Sequence, residues 1–158
     1  MKPVLLSLAL ALLMVGCGDG NVDYEDLEYR NGVMYLPHEE APFTGRAERF
    51  YQNGQKGEES NWKDGLKEGL RTEWYENGQK KAEATFKDGK REGLRTKWHE
   101  SGQKKKKGNY KDGKEDGLYT NWYESGQKRY EGKYKDGKLT SIVVWKPNGE
   151  KCPVTNVK

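Results

Sequence analysis

One stretch of this chain is written four times. Gly45, Gly69, Gly93 and Gly117 stand 24 residues apart, and the residues between them align column by column. A fixed period of this length is the signature of a stacked array, in which each unit buries its apolar surface only against its neighbours. The chain must therefore build one supersecondary unit every 24 residues.

The type unit, Gly69 to Glu92, carries two turn signals, Asn77-Gly78 and Asp88-Gly89. The first recurs as Asn53-Gly54, Ser101-Gly102 and Ser125-Gly126, the second as Asp64-Gly65, Asp112-Gly113 and Asp136-Gly137. Asn-Gly and Asp-Gly are strong hairpin markers, because glycine reaches positive φ without steric cost. The runs between turns have ordinary strand length. The pattern predicts an all-β fold: an elongated, single-layer antiparallel meander of 24-residue hairpin repeats.

Parity predicts the loops. Leu70, Thr72 and Trp74 share one face of their strand, and Ala82, Ala84 and Phe86 share one face of the next. A three-residue loop, Glu76-Asn77-Gly78 with Gly78 as a bulge, pairs Trp74 with Lys80 and puts all six on one face. The same length at Lys87-Asp88-Gly89 carries that face into the following unit. The expected face holds two aromatic ladders, Phe50, Trp74, Trp98, Trp122 and Trp62, Phe86, Tyr110, Tyr134. Leu70, Leu94 and Leu118 run alongside. The polar face keeps Tyr51, Tyr75, His99 and Tyr123, whose rings can cover lysine and arginine stems.

The ends differ from the array. Lys2 followed by the mostly apolar run Pro3–Val15 fits a secretory signal segment. It ends in Leu-Met-Val-Gly-Cys17, which resembles a bacterial lipobox, so residues 1–16 read as a lipoprotein signal peptide and Cys17 as the lipidated residue. Residues 17–26 read as an acidic tether and 27–44 as a capping hairpin. Residues 45–140 are four repeats, and 141–158 a partial fifth repeat with a tail. Residues 17–45 carry a net charge of −6 and residues 46–158 a net of +9. Charged residues make up 34% of the chain and apolar ones 32%, which excludes a thick core, while 11% aromatics argue against disorder.

The repeat columns resemble the bacterial variant of the MORN repeat (membrane occupation and recognition nexus). The resemblance rests on G-x-x-x-x-W-Y-x-N-G-Q at Gly69–Gln79, its copies at Gly45–Gln55, Gly93–Gln103 and Gly117–Gln127, and the following Phe86–Lys90, Tyr110–Lys114 and Tyr134–Lys138 segments. With Pro42-Phe43-Thr44-Gly45 at its entry, the chain looks like the YwqK-type, antitoxin-like family. That resemblance implies a repeat sheet with a binding role.

The sequence assembles no catalytic set. His38 lies in the entry hairpin and His99 replaces tyrosine in its column. No metal-ligand, nucleophile-elbow or phosphate-loop spacing occurs, so no cofactor and no metal are implied. The turn acids Asp64, Asp88, Asp112 and Asp136 lack the oxygen-rich surroundings calcium needs. Lys104 to Lys107 form the densest charge run, and interspersed acids disfavour nucleic acid as a partner. Cys152 has no assigned role.

The expected function is a non-enzymatic, membrane-anchored binding module or scaffold of the bacterial cell envelope. Its recognition ladder would be Phe50, Trp62, Trp74, Phe86, Trp98, Tyr110, Trp122 and Tyr134, and its partner a protein or envelope component. The alternative is an antitoxin or immunity factor that sequesters a toxin protein. Localisation follows the lipid anchor, with the outer membrane favoured in a Gram-negative host because Gly18, not aspartate, follows Cys17. Replacing Cys17 with alanine should abolish acyl labelling and release the protein from membranes; persistent labelling would contradict the lipobox.

Overall fold

The computed structural model describes residues 21–152. Residues 1–20, with the signal segment and Cys17, lie outside the described residues, as do 153–158. The strands are β1 (Asn21–Asp23), β2 (Glu28–Arg30), β3 (Val33–Tyr35), β4 (Gly45–Phe50), β5 (Lys56–Lys63), β6 (Leu66–Trp74), β7 (Lys80–Lys87), β8 (Lys90–Trp98), β9 (Lys104–Lys111), β10 (Lys114–Trp122), β11 (Lys128–Lys135) and β12 (Lys138–Val144). From β4 to β12 each strand pairs antiparallel with the next in one sheet. The all-β meander of consecutive hairpins is thus the architecture of the chain.

Two kinds of turn alternate. At Asn77-Gly78, Tyr75 donates its N–H to the Gln79 carbonyl (2.8 Å) and Gly78 donates to the Tyr75 carbonyl (2.9 Å). Gly78 has φ 81°. This is the three-residue, bulged-glycine loop that parity predicts, and it recurs at Tyr51, His99, Tyr123 and Lys146. The Asn77 side chain accepts from the Gln79 N–H (3.0 Å), an Asx turn that stiffens the loop. The Asp-Gly turns differ from the expectation. Lys87 pairs with Lys90, so only Asp88 and Gly89 are looped out. Both have positive φ, 48° and 75°, the conformation of a two-residue type I′ turn. Aspartate is among the few non-glycine residues that tolerate it.

The face assignment is also corrected. Trp74 pairs with Lys80 as expected, but Glu73 pairs with Ala82, leaving Lys81 as an extra residue. A one-residue bulge inverts parity on one strand relative to its partner. Leu70 and Thr72 therefore stand opposite Thr85 and Glu83, while Arg71 stands opposite Ala84. The Leu/Thr/Trp set and the Ala/Ala/Phe set lie on opposite faces of the sheet. The same shift occurs at Arg49/Phe50, Lys97/Trp98 and Asn121/Trp122.

Side chains tie each unit to the next. The Tyr51 hydroxyl donates to the Trp74 carbonyl (2.8 Å) and the Tyr75 hydroxyl to the Trp98 carbonyl (2.8 Å). Tyr123 does the same toward Trp145 (3.0 Å), and the His99 ring nitrogen lies 3.4 Å from the Trp122 carbonyl. On the Asp-Gly side, Glu68 accepts from the Asp88 N–H (3.0 Å) and Glu92 from the Asp112 N–H (2.9 Å). The Gly89 N–H reaches the Lys67 carbonyl (2.9 Å). Each turn thus docks on its neighbour, and the repeat motif is a set of stacking contacts.

The N-terminal boundary moves. Asn21–Asp23, assigned from sequence to the acidic tether, pair in parallel with Arg46–Glu48 and close the outer edge of β4. The β2–β3 hairpin turns at Asn31-Gly32, both at positive φ. It does not cover the edge but packs on one face: Met34 bonds to the Gly65 carbonyl (2.9 Å), and Phe43 to the Met34 carbonyl (2.8 Å). Met34, Phe43, Ala47 and Trp62 form the buried apolar cluster, with Val22, Tyr24, Leu27 and Leu36 against it.

Beyond that cluster, small residues make room for large ones. Ser60, Ala84, Gly108 and Gly132 occupy equivalent positions, and all are buried. The Tyr119 ring lies across Gly108, where any Cβ would run into it. Changing Gly108 to alanine should destabilise the array by about 1–3 kcal/mol, the usual cost of overpacking. A lowered denaturant midpoint checks this; an unchanged midpoint would show that Tyr119 does not pack there.

Candidate functional site

The bulge rule sorts the eight aromatic candidates into two groups of four. Phe50, Trp74, Trp98 and Trp122 stand on one face, here the tryptophan face. Trp62, Phe86, Tyr110 and Tyr134 stand on the other, the arginine face. They do not form a single ladder.

On the arginine face, cross-strand register lines up three rows. In the first, cations alternate with the aromatic rings as far as Tyr110, beyond which Glu115 takes the cation's place. The Lys67 ammonium lies 5.2 Å from the Trp62 ring centre and 5.7 Å from that of Phe86. The Arg91 guanidinium lies 5.9 Å from Phe86 and 5.8 Å from Tyr110. Such contacts are worth roughly 0.5–2 kcal/mol, more when desolvated. Trp62, Phe86 and Tyr110 are 6%, 8% and 6% exposed, so three of the expected recognition residues are committed to packing. The Trp62 indole N–H also donates to the Ser60 hydroxyl (2.8 Å). Burial lowers the Lys67 pKa, and the Arg71 charge adds to this. Sequence reasoning missed this row because the lysine and arginine share a face with the rings only once the two-residue Asp-Gly turns and the bulges are both counted.

The second row runs Ala47, Ser60, Arg71, Ala84, Arg95, Gly108, Tyr119 and Gly132. The third runs Arg49, Glu58, Glu73, Ala82, Lys97, Lys106, Asn121 and Tyr130. At the first end their charges are paired. Buried Glu58 accepts from Arg71 (2.7 Å) and from Arg49 (3.4 Å), and Arg71 also bonds Glu73. Among the described residues, Arg95, Lys97 and Lys106 form no ion pair.

The tryptophan face is built differently. Leu70, Leu94 and Leu118 are 47%, 45% and 47% exposed. Beside them Thr72, Thr96 and Thr120 are buried, and Trp74, Trp98 and Trp122 are half-buried. Lysines reach across to the next unit's ring: Lys56 to Trp74 (5.9 Å), Lys80 to Trp98 (6.0 Å) and Lys128 to Trp145 (5.5 Å). Between Leu94, Leu118 and Trp122 lies an open depression of about 380 Å³, with Lys107, Lys128 and Glu131 at its rim. Near β4, Glu48 accepts from Lys56 (2.5 Å) and Arg46 (2.9 Å). No residue set on either face combines a nucleophile with a base and an orienting partner among the described residues. The geometry supplies shape, apolar surface and charge.

The paired carboxylates set a pH dependence. Burial raises the Glu73 pKa, but the Arg71 charge and hydrogen bond outweigh it, and the net value falls below the usual glutamate range. Glu48 behaves alike: burial raises its pKa, and the Lys56 and Arg46 hydrogen bonds more than offset this. A carboxylate depressed in the folded state stabilises fully above its unfolded pKa, and that stabilisation is lost as pH falls through the folded value. The melting temperature should therefore drop as pH falls below about 4.5, and Glu48→Gln/Glu73→Gln should show a smaller drop over the same interval. Parallel pH profiles for wild type and variant would contradict the pairing.

Comparison with known families agrees with the repeat geometry. Residues 67–88, 91–112 and 115–136 match the MORN repeat variant. No curated protein matches the chain. The matched segments recur on the 24-residue step of the sheet and support a MORN-repeat protein, the repeat being a non-catalytic module that generally serves binding or scaffolding.

Proposed function

We propose that this chain is a binding module or scaffold whose docking strip is the tryptophan face, and that Cys17 lipidation holds it at a membrane of the bacterial cell envelope. One observation carries the reading of the strip. Three leucines at 24-residue intervals remain nearly half exposed beside a column of half-buried tryptophans. Large apolar side chains left exposed and rimmed by charge are a usual mark of an interaction site. The repeated spacing fits a partner that engages several units at once, so that modest contacts add through multivalency. The expected partner is a protein or envelope component. The recognition residues on this face are Trp74, Trp98 and Trp122 together with the leucines, with Phe50 at the first end.

The test replaces leucines that the fold leaves nearly half exposed. Leu94→Ser/Leu118→Ser should still melt cooperatively, at a somewhat lower temperature for the half-buried apolar area lost, and lose partners that wild-type protein retains from envelope extracts. Retention of the same partners by the folded variant would rule out the strip.

A further inference from the structure

The third row of the arginine face changes charge along the array. At the first end it reads Arg49, Glu58, Glu73, and every charge there has a partner. Lys97 is the equivalent of Glu73 one repeat later, and Lys106 the equivalent of Glu58 two repeats later. These lysines are direct cross-strand partners. Like charges placed opposite each other on one face are destabilising. Arg95, two residues from Lys97 on the same face, adds a third cation where Arg71 has two carboxylates. The Lys97 pKa is lowered, first by burial and then by Arg95, with Lys106 and Arg91 acting the same way and Glu73 opposing. The fold thus retains a concentrated, partly desolvated positive charge with no ion-pair partner among the described residues.

Next to it a cavity of about 420 Å³ opens on the same face. Lys105, Lys106 and Arg129 line it, with His99, Asn121 and Tyr130; Glu124 is the one carboxylate on its wall. Lys105 is there because the bulge at Lys97/Trp98 leaves it unpaired. Arg129 is held with its guanidinium 5.8 Å from the Tyr123 ring centre. The arrangement has the parts of an anion site: ammonium and guanidinium donors, an amide, phenol and imidazole groups, and a floor of aromatic carbon.

We propose that Lys105, Lys106 and Arg129 form a binding site for an oxyanion of the phosphate type, with Asn121 and Tyr130 as neutral donors and Lys97, the cross-strand partner of Lys106, and Arg95 adding positive charge beside it. The ligand supplies the negative charge that Glu58 and Glu73 supply in the first units. Phosphate-type oxyanions match the donors because their several oxygens accept charge-assisted hydrogen bonds from more than one cation at once. This site lies on the face opposite the leucine strip, so it stands or falls independently of the docking strip.

The experiment titrates inorganic pyrophosphate into the purified full chain by calorimetry, with a second arm using phosphatidylcholine vesicles with and without phosphatidic acid. Wild-type protein should bind in at least one arm. Lys97→Met/Lys106→Met should weaken that binding by about tenfold or more, the worth of a lost charge-assisted bond. Lys63→Met/Lys133→Met removes the same charge from exposed positions elsewhere and should bind like wild type. Pyrophosphate binding identifies a soluble source, and dependence on phosphatidic acid alone identifies a lipid headgroup. Melting curves give a second readout. Without anion, Lys97→Met/Lys106→Met should melt above wild type, because the like-charge contact is gone; with pyrophosphate, or with phosphatidic acid vesicles where those alone bind, only wild type and the control should shift upward. Equal binding by the site variant and the control, or no binding in either arm, would overturn the proposal.

Discussion

Backbone pairing between neighbouring strands, offset by one extra residue in each Asn-Gly or Ser-Gly hairpin, is the constraint on which the rest of this molecule depends. A single-layer sheet has no second layer to define an inside. Which side chains meet is therefore set by register alone, and a one-residue change in register exchanges the faces. The bulge beside each tryptophan makes that exchange in every unit. It separates the tryptophan column from the Trp62–Phe86–Tyr110 column, and together with the two-residue Asp-Gly turns it brings the latter into line with Lys67 and Arg91.

The two faces consequently do different work. The arginine face supplies packing: large side chains lie over Ser60, Ala84 and Gly108, cations stack between rings, and the N-terminal hairpin closes over Trp62. This is how a chain with one third charged residues holds a sheet together without a thick core. The tryptophan face spends less of its surface on itself and leaves its leucines in water. Along the arginine face the charge pattern drifts, from paired carboxylates in the first units to unpaired lysines in the later ones. A repeat protein can vary in this way because each unit answers mainly to its neighbours.

Much of the fold was legible in the sequence. The 24-residue period, the strand spans, the bulged-glycine loop and the Trp74–Lys80 pair all follow from local turn chemistry and spacing. Two features were not. Asp88-Gly89 is compatible with either loop length by composition, and only the tertiary pairing of Lys87 with Lys90 selects the type I′ turn. The extra residue at Lys81 leaves no composition signal, since a lysine beside another lysine suits a bulge and a regular strand equally. The parity argument needed every hairpin to preserve alternation, and one unrecognised bulge inverted its result. Asn21–Asp23 were unreadable for another reason: three residues carry too little periodicity to announce a strand, and their parallel pairing is a long-range event. The candidate aromatics were found by type and spacing, yet their division between packing and exposure depends on the same bulge.

The most direct measurement is the set of side-chain contacts across β6 and β7, observed as nuclear Overhauser effects in solution. Phe86 ring protons should show contacts to the Lys67 and Arg91 side chains, and the Trp74 indole should show contacts to Lys56 and none to the Ala82 or Ala84 methyl groups. Contacts between the Trp74 indole and those methyl groups would place both sets on one face and contradict the account.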